Sequence, residues 1–98
     1  MEKLLKHLTK AVGNPAALFK YNPKSNDPLA VCKGLCGEFN SLGLTVTRDT
    51  ITLFDKLGGT KPSERVIDVS DFMWAKSKKN QITFAVGQDE YAITYAPL

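Results

Sequence analysis

The stretch Gln81-Ile82-Thr83-Phe84-Ala85-Val86-Gly87-Gln88-Asp89-Glu90-Tyr91-Ala92-Ile93-Thr94-Tyr95-Ala96-Pro97 decides the fold class. Ile82, Phe84 and Val86 alternate with Gln81, Thr83 and Ala85, and beyond Gly87-Gln88-Asp89-Glu90 the residues Tyr91, Ile93 and Tyr95 alternate with Ala92, Thr94 and Ala96. A period of two on both sides of a turn predicts a β-hairpin. With a four-residue loop the register sets Val86 opposite Tyr91, Phe84 opposite Ile93 and Ile82 opposite Tyr95, which puts aromatic and β-branched pairs on one face. The other face is small and threonine-rich. An apolar sheet face needs a cover, and the amphipathic N-terminal third is the candidate for it.

That N-terminal third reads as helical. Glu2 to Val12 sets Leu4, Leu5, Leu8, Ala11 and Val12 on one helical face and Lys3, Lys6, His7 and Lys10 on the other, with Gly13 just past the end. Asn14-Pro15 is a cap followed by a proline at the first helical position, predicting a short helix through Phe19. Asp27-Pro28 repeats that signal for a third, longer helix with Leu29, Cys32, Leu35, Cys36, Phe39 and Leu42 in one stripe and Gly43 as its terminator. Gly34 and Gly37 weaken that helix by roughly 1 kcal/mol each, so a close backbone approach is expected there.

From Leu44 the period changes to two. A hairpin about Arg48-Asp49 pairs Thr47 with Thr50, Val46 with Ile51, Thr45 with Thr52 and Leu44 with Leu53, although Arg-Asp lacks the glycine or asparagine that such turns favour. Lys56 to Ser63 reads as a loop, Arg65 to Val69 as a strand, and Ser70 to Lys76 either as a short helical turn capped by Ser70 or, the preferred reading, as a strand joined to the next through Ser77-Lys78-Lys79-Asn80. The expected fold is α+β: two or three N-terminal helices packed on one face of a four- to five-stranded antiparallel sheet. Residues 1–98 form one domain, helical over about 2–42 and a β-meander over about 44–97.

Composition is that of an ordinary globular chain, 43% hydrophobic and 23% charged. Lys6, His7 and Lys10 interrupt the N-terminal leucines before an apolar signal segment develops, and no run approaches membrane-spanning length. A cytoplasmic protein without membrane contact is expected. The net charge of +3 is uneven: residues 1–34 hold six lysines against Glu2 and Asp27, while the remainder has seven basic and eight acidic residues. The positive field therefore belongs to the N-terminal third.

Candidate chemistry is sparse. Cys32 and Cys36 with His7 fall short of a zinc ligand set, and both cysteines lie in the apolar stripe as small hydrophobes would. His7 has a pKa suited to general-base work but no nucleophile beside it. Asp68, Asp71, Asp89 and Glu90 stand at strand ends or in turns, where solvated acids usually sit, and Gly58-Gly59-Thr60-Lys61 lacks the spacing of a phosphate loop. No catalytic residue, no metal site and no cofactor is expected. Two basic features remain: Lys3, Lys6 and Lys10 along the first helix, and Lys76, Lys78 and Lys79 beside Trp74. The ordinary alternatives are a solvated lysine face and a core tryptophan, and no helix-turn-helix, RNA-recognition or KH signature accompanies the lysines.

The expectation is a small non-enzymatic binding module, an inhibitor or adaptor occupying a partner protein's surface, with the lysines steering it toward an acidic partner. The alternative is a small basic nucleic-acid-binding protein using Lys3, Lys6 and Lys10 with Lys76, Lys78, Lys79 and Trp74. Either a monomer or a homodimer fits, since Gly34 and Gly37 are placed where a helix could pair between subunits. In size and layout alone the chain is in the style of phage and mobile-element accessory proteins.

Overall fold

A computed structural model describes residues 2–21, 34–58 and 64–97. The element order is helix α1 (Glu2–Ala11) followed by strands β1 (Ala16–Tyr21), β2 (Gly34–Phe39), β3 (Leu42–Val46), β4 (Thr50–Asp55), β5 (Arg65–Asp68), β6 (Phe72–Lys78), β7 (Gln81–Val86) and β8 (Asp89–Tyr95). The strands form two antiparallel sheets, a five-stranded one ordered β2-β1-β8-β7-β6 and a three-stranded one ordered β3-β4-β5. The fold is α+β as expected, with one helix and a second sheet in place of the further helices.

Helix α1 keeps the predicted stripe: Leu4, Leu8 and Ala11 are fully buried, and Gly13 closes the helix with φ of +85°, a conformation that costs glycine little. Asn14 belongs to this C-terminus rather than to a new helix. Its N–H donates to Ala11 O at 3.1 Å, and its Nδ2 donates to Lys10 O, also at 3.1 Å.

The second predicted helix is instead β1. It pairs with β8 on one side and β2 on the other, so a segment too short for a stable helix gains two ladders. The third predicted helix fails over Gly34–Phe39, which is β2, and Leu42 to Gly43 begins β3; its residues 28–33 lie outside the described residues, Leu29 and Cys32 among them. Among the described residues the helical portion is thus 2–11, where about 2–42 was expected. Two glycines and a bulge account for the difference. Leu18 pairs with Gly37 and Phe19 with Leu35, leaving Cys36 as the extra residue. Gly37 does meet a close neighbour, the Phe39 ring, but Gly34 faces open space.

The Arg48-Asp49 hairpin forms as predicted, with Leu44, Thr45 and Val46 opposite Leu53, Thr52 and Ile51. The Thr47 N–H donates to Thr50 O at 2.9 Å and the Val69 N–H to Asp49 O at 2.7 Å, contacts that hold a turn lacking glycine. The C-terminal hairpin departs from its predicted register by two residues. Val86 pairs with Asp89, Phe84 with Tyr91 and Ile82 with Ile93, so the loop is Gly87-Gln88, and Asp89 and Glu90 lie in β8. Gly87 has φ of +57°, as the first residue of a type II′ turn requires. A shift of two leaves every side chain on its predicted face.

The core lies between the inner faces of the two sheets. Leu18, Ile82, Phe84 and Ile93 of the large sheet meet Ile51, Leu53 and Ile67 of the small one, with Leu4 and Leu8 of α1 in the same cluster. On one side β2 runs beside β4, and on the other α1 lies against β3, β6 and β7. Arg65 Nε ties the sheets by donating to Cys36 O at 2.6 Å.

Asp55 fixes the passage from β2 to β3. Its carboxylate accepts the N–H groups of Asn40 at 2.8 Å, Ser41 at 3.1 Å and Leu57 at 3.1 Å. The Asn40 N–H, with those of Ser41 and Leu57, outweighs desolvation and holds the carboxyl below its ordinary value of 3.8. A depressed folded pKa contributes stability above 3.8 that is lost as pH falls through the folded value. Wild type should therefore melt higher than Asp55→Asn at neutral pH, and the gap should narrow in acid. Melting curves against pH test this; a gap that stays constant would remove Asp55 from the account.

Candidate functional site

The outer face of the five-stranded sheet is built by register alone. Residues paired across an antiparallel ladder share a face, so three rows can be read across it. One runs Glu38, Ala17, Thr94, Gln81, Lys78; the next runs Leu35, Phe19, Ala92, Thr83, Lys76; the third runs Tyr21, Glu90, Ala85, Trp74. The core lies on the opposite side. Ala85 and Ala92 are 5% and 2% exposed yet stand outside the core cluster, as do Phe19, Tyr21 and Trp74. Each alanine sits between larger side chains of its own row.

The result is a row of small residues, Ala85, Ala92 and Thr83, shielded between half-buried aromatics, Phe19 and Tyr21 on β1 and Trp74 on β6. Three strand spacings separate Trp74 from Tyr21, roughly 14 Å. Leu35 adds to the apolar side chains at the β2 edge and is 54% exposed. Charge is graded across the face: Lys76 and Lys78 stand exposed on edge strand β6, whereas Glu38 is exposed on β2 and Glu90 is half-buried on β8. Lys76 Nζ lies over the Trp74 ring, 5.2 Å from its centroid, within cation–π range. A β-bulge at Met73 interrupts the β6 edge, a device that discourages another strand from adding there.

The seven basic and aromatic candidates separate into two groups. Trp74, Lys76 and Lys78 share the outer face, and Lys79 is exposed in the adjoining turn beside Asn80, whose φ is +58°. Lys3, Lys6 and Lys10 are exposed on α1, and α1 packs with the inner face of the same sheet. The structure therefore brings the β6 lysines to Trp74 and leaves the helix lysines on the other side. Phe19, Tyr21, Leu35, Glu38 and Glu90 are members of the face that the sequence reading missed. The signal was present in Ala17, Phe19 and Tyr21 alternating with Ala16, Leu18 and Lys20.

Elsewhere several ionisable groups make local contacts. Asp68 accepts the Ser70 N–H at 2.9 Å and the Ser70 hydroxyl at 2.7 Å, which lowers its pKa. Lys20 reaches Asp89 at 3.7 Å and lies 5.9 Å from the Tyr91 ring centroid. Burial raises the Tyr91 pKa against the opposing influence of Lys20. Cys36 is a free, half-buried thiol in β2, not a helical stripe residue. His7 is half-buried at the border of the α1 apolar stripe, rather than fully solvated as predicted, and its Nδ1 is buried without a hydrogen-bond partner among the described residues. Among the described residues no three His, Cys, Asp or Glu side chains converge as a metal cage, and no helix is long and apolar enough to cross a membrane. Comparison with known protein families, with curated proteins and with solved structures finds no match to this chain.

Proposed function

We propose that the protein is a small non-enzymatic binding module, an inhibitor or adaptor that acts by occupying a partner's surface through the outer face of its five-stranded sheet. One observation carries this reading: Phe19, Tyr21 and Trp74 flank a row of small residues on the face turned away from the main core cluster, and none of the three aromatics joins that cluster. Sheet faces of monomeric domains rarely spend aromatic side chains on open solvent, and exposed apolar patches with polar rims mark interaction sites. A second reading, in which the partner is nucleic acid, rests on Lys76 standing over Trp74.

Site-specific photo-crosslinking in cells tests the surface. A benzophenone side chain at Leu35 or Lys76, both exposed on this face, should capture a discrete partner, and Trp74→Ala should abolish the adduct. The same probe at Val66, 61% exposed on β5 of the other sheet, should capture none. Equal capture at all three positions, or capture at Val66 alone, sinks the assignment.

A further inference from the structure

Resting on the second reading above, in which the outer face binds nucleic acid, we propose that its occupant is a single strand, with its phosphates along β6 and its bases against the aromatic side chains of the face. Charge and shape argue together. Lys76 and Lys78 alternate along β6 and point to the outer face, and Lys79 extends the same edge through the turn. Next to them, on the same face, is the indole of Trp74. A backbone following the lysine edge places its bases inward, against Trp74 and across the face toward the Phe19 and Tyr21 side chains. The roughly 14 Å between the aromatics of β6 and β1 suits unstacked bases and not a duplex, whose bases are already paired and stacked.

Sequence readout would be slight. The face offers π-faces and the hydroxyls of Thr83 and Thr94, which tolerate any base, while the carboxylates of Glu38 and Glu90 keep phosphates away from β2 and β8. That polarity is why the strand is assigned to the β6 edge. The helix lysines are not assigned to this site: α1 packs with the inner face, and Lys3, Lys6 and Lys10 belong to none of the three rows.

The test is fluorescence anisotropy with labelled oligothymidylate, oligouridylate and a duplex, each of about a dozen nucleotides. Both single strands should bind, and the duplex should bind more weakly. With three lysines on phosphates, a fourfold rise in salt should weaken single-strand binding by roughly fifteenfold. Trp74→Ala should weaken it by roughly ten- to a hundredfold. The double variant Lys76→Glu/Lys78→Glu changes only exposed side chains and keeps the test decisive if Trp74→Ala disturbs folding; it should abolish binding at physiological salt. Lys3→Glu/Lys6→Glu/Lys10→Glu should leave affinity within a few-fold of wild type. Absence of single-strand binding at low salt, tighter duplex binding, or loss on changing the helix lysines but not Lys76 and Lys78 overturns the proposal. If the Leu35 and Lys76 photoprobes capture a protein while no oligonucleotide binds, the nucleic-acid occupant is wrong and the outer-face reading stands.

Discussion

Phe84→Ala should cost about 3–5 kcal/mol, a large share of the margin that keeps the chain folded. Phe84 is fully buried on β7, the strand between β6 and β8, and its ring stacks on Tyr91 with centroids 5.1 Å apart. It belongs to the one cluster that includes α1 and both sheets, so a cavity there weakens all three layers together. Collapse into the cavity is opposed by the neighbours, since Ile82 and Ile93 are held by ladder pairing on each side and Leu4 and Leu8 by the helix. The whole stability of a domain this size is on the order of 5–15 kcal/mol. Urea titration followed by far-UV circular dichroism should show a midpoint far below wild type or no folded baseline. Phe84→Leu, which keeps most of the volume, should lose much less. Equal losses for the two variants would mean that the ring's shape, not the cavity, sets the cost.

Sequence reading was reliable where one physical signal dominated. In β4, β7 and β8 a period of two ran with β-branched and aromatic residues, and both hairpins formed. The β8 register slipped because Asp89 and Glu90 are poor strand formers and read as loop; in the folded chain Asp89 pairs with Val86 and meets Lys20. The core face nevertheless came out correctly, since a slip of two preserves sidedness. Reading failed where a local signal competed with a long-range one. A helix cap at Asn14 is worth about 1 kcal/mol, whereas strand formation buries Leu18, itself about 1.5–3 kcal/mol, and satisfies the segment's backbone on both sides. β2 starts only at Gly34 and β8 only at Asp89, so no short window around Pro15 contained the deciding contacts. The same non-locality concealed the outer face. Trp74 and its lysines were visible as a cluster, but their alignment with Phe19 and Tyr21 exists only once β1 and β6 join one sheet.

The small sheet holds a further pair whose meaning lies in its coupling. Gly43 and Phe54 are directly opposed on β3 and β4, on the face turned away from the core, and the Phe54 ring lies over the glycine where a β-carbon would otherwise be. Glycine in a strand costs roughly 0.5–1 kcal/mol relative to alanine, and ring coverage is the usual compensation. Gly43→Ala should therefore destabilise by about 1–3 kcal/mol, because the added methyl would stand on the Phe54 ring and against the Lys56 stem, and both must shift. In a Phe54→Ala background the ring is gone and only the flexible Lys56 side chain, whose Cγ would stand 2.8 Å from the added carbon, is left to give way, so the same Gly43→Ala change should cost much less. Chemical denaturation of the four proteins of this cycle measures the difference as a coupling energy. Equal effects of Gly43→Ala in both backgrounds would mean that the glycine answers to its backbone alone, and that the ring above it is incidental.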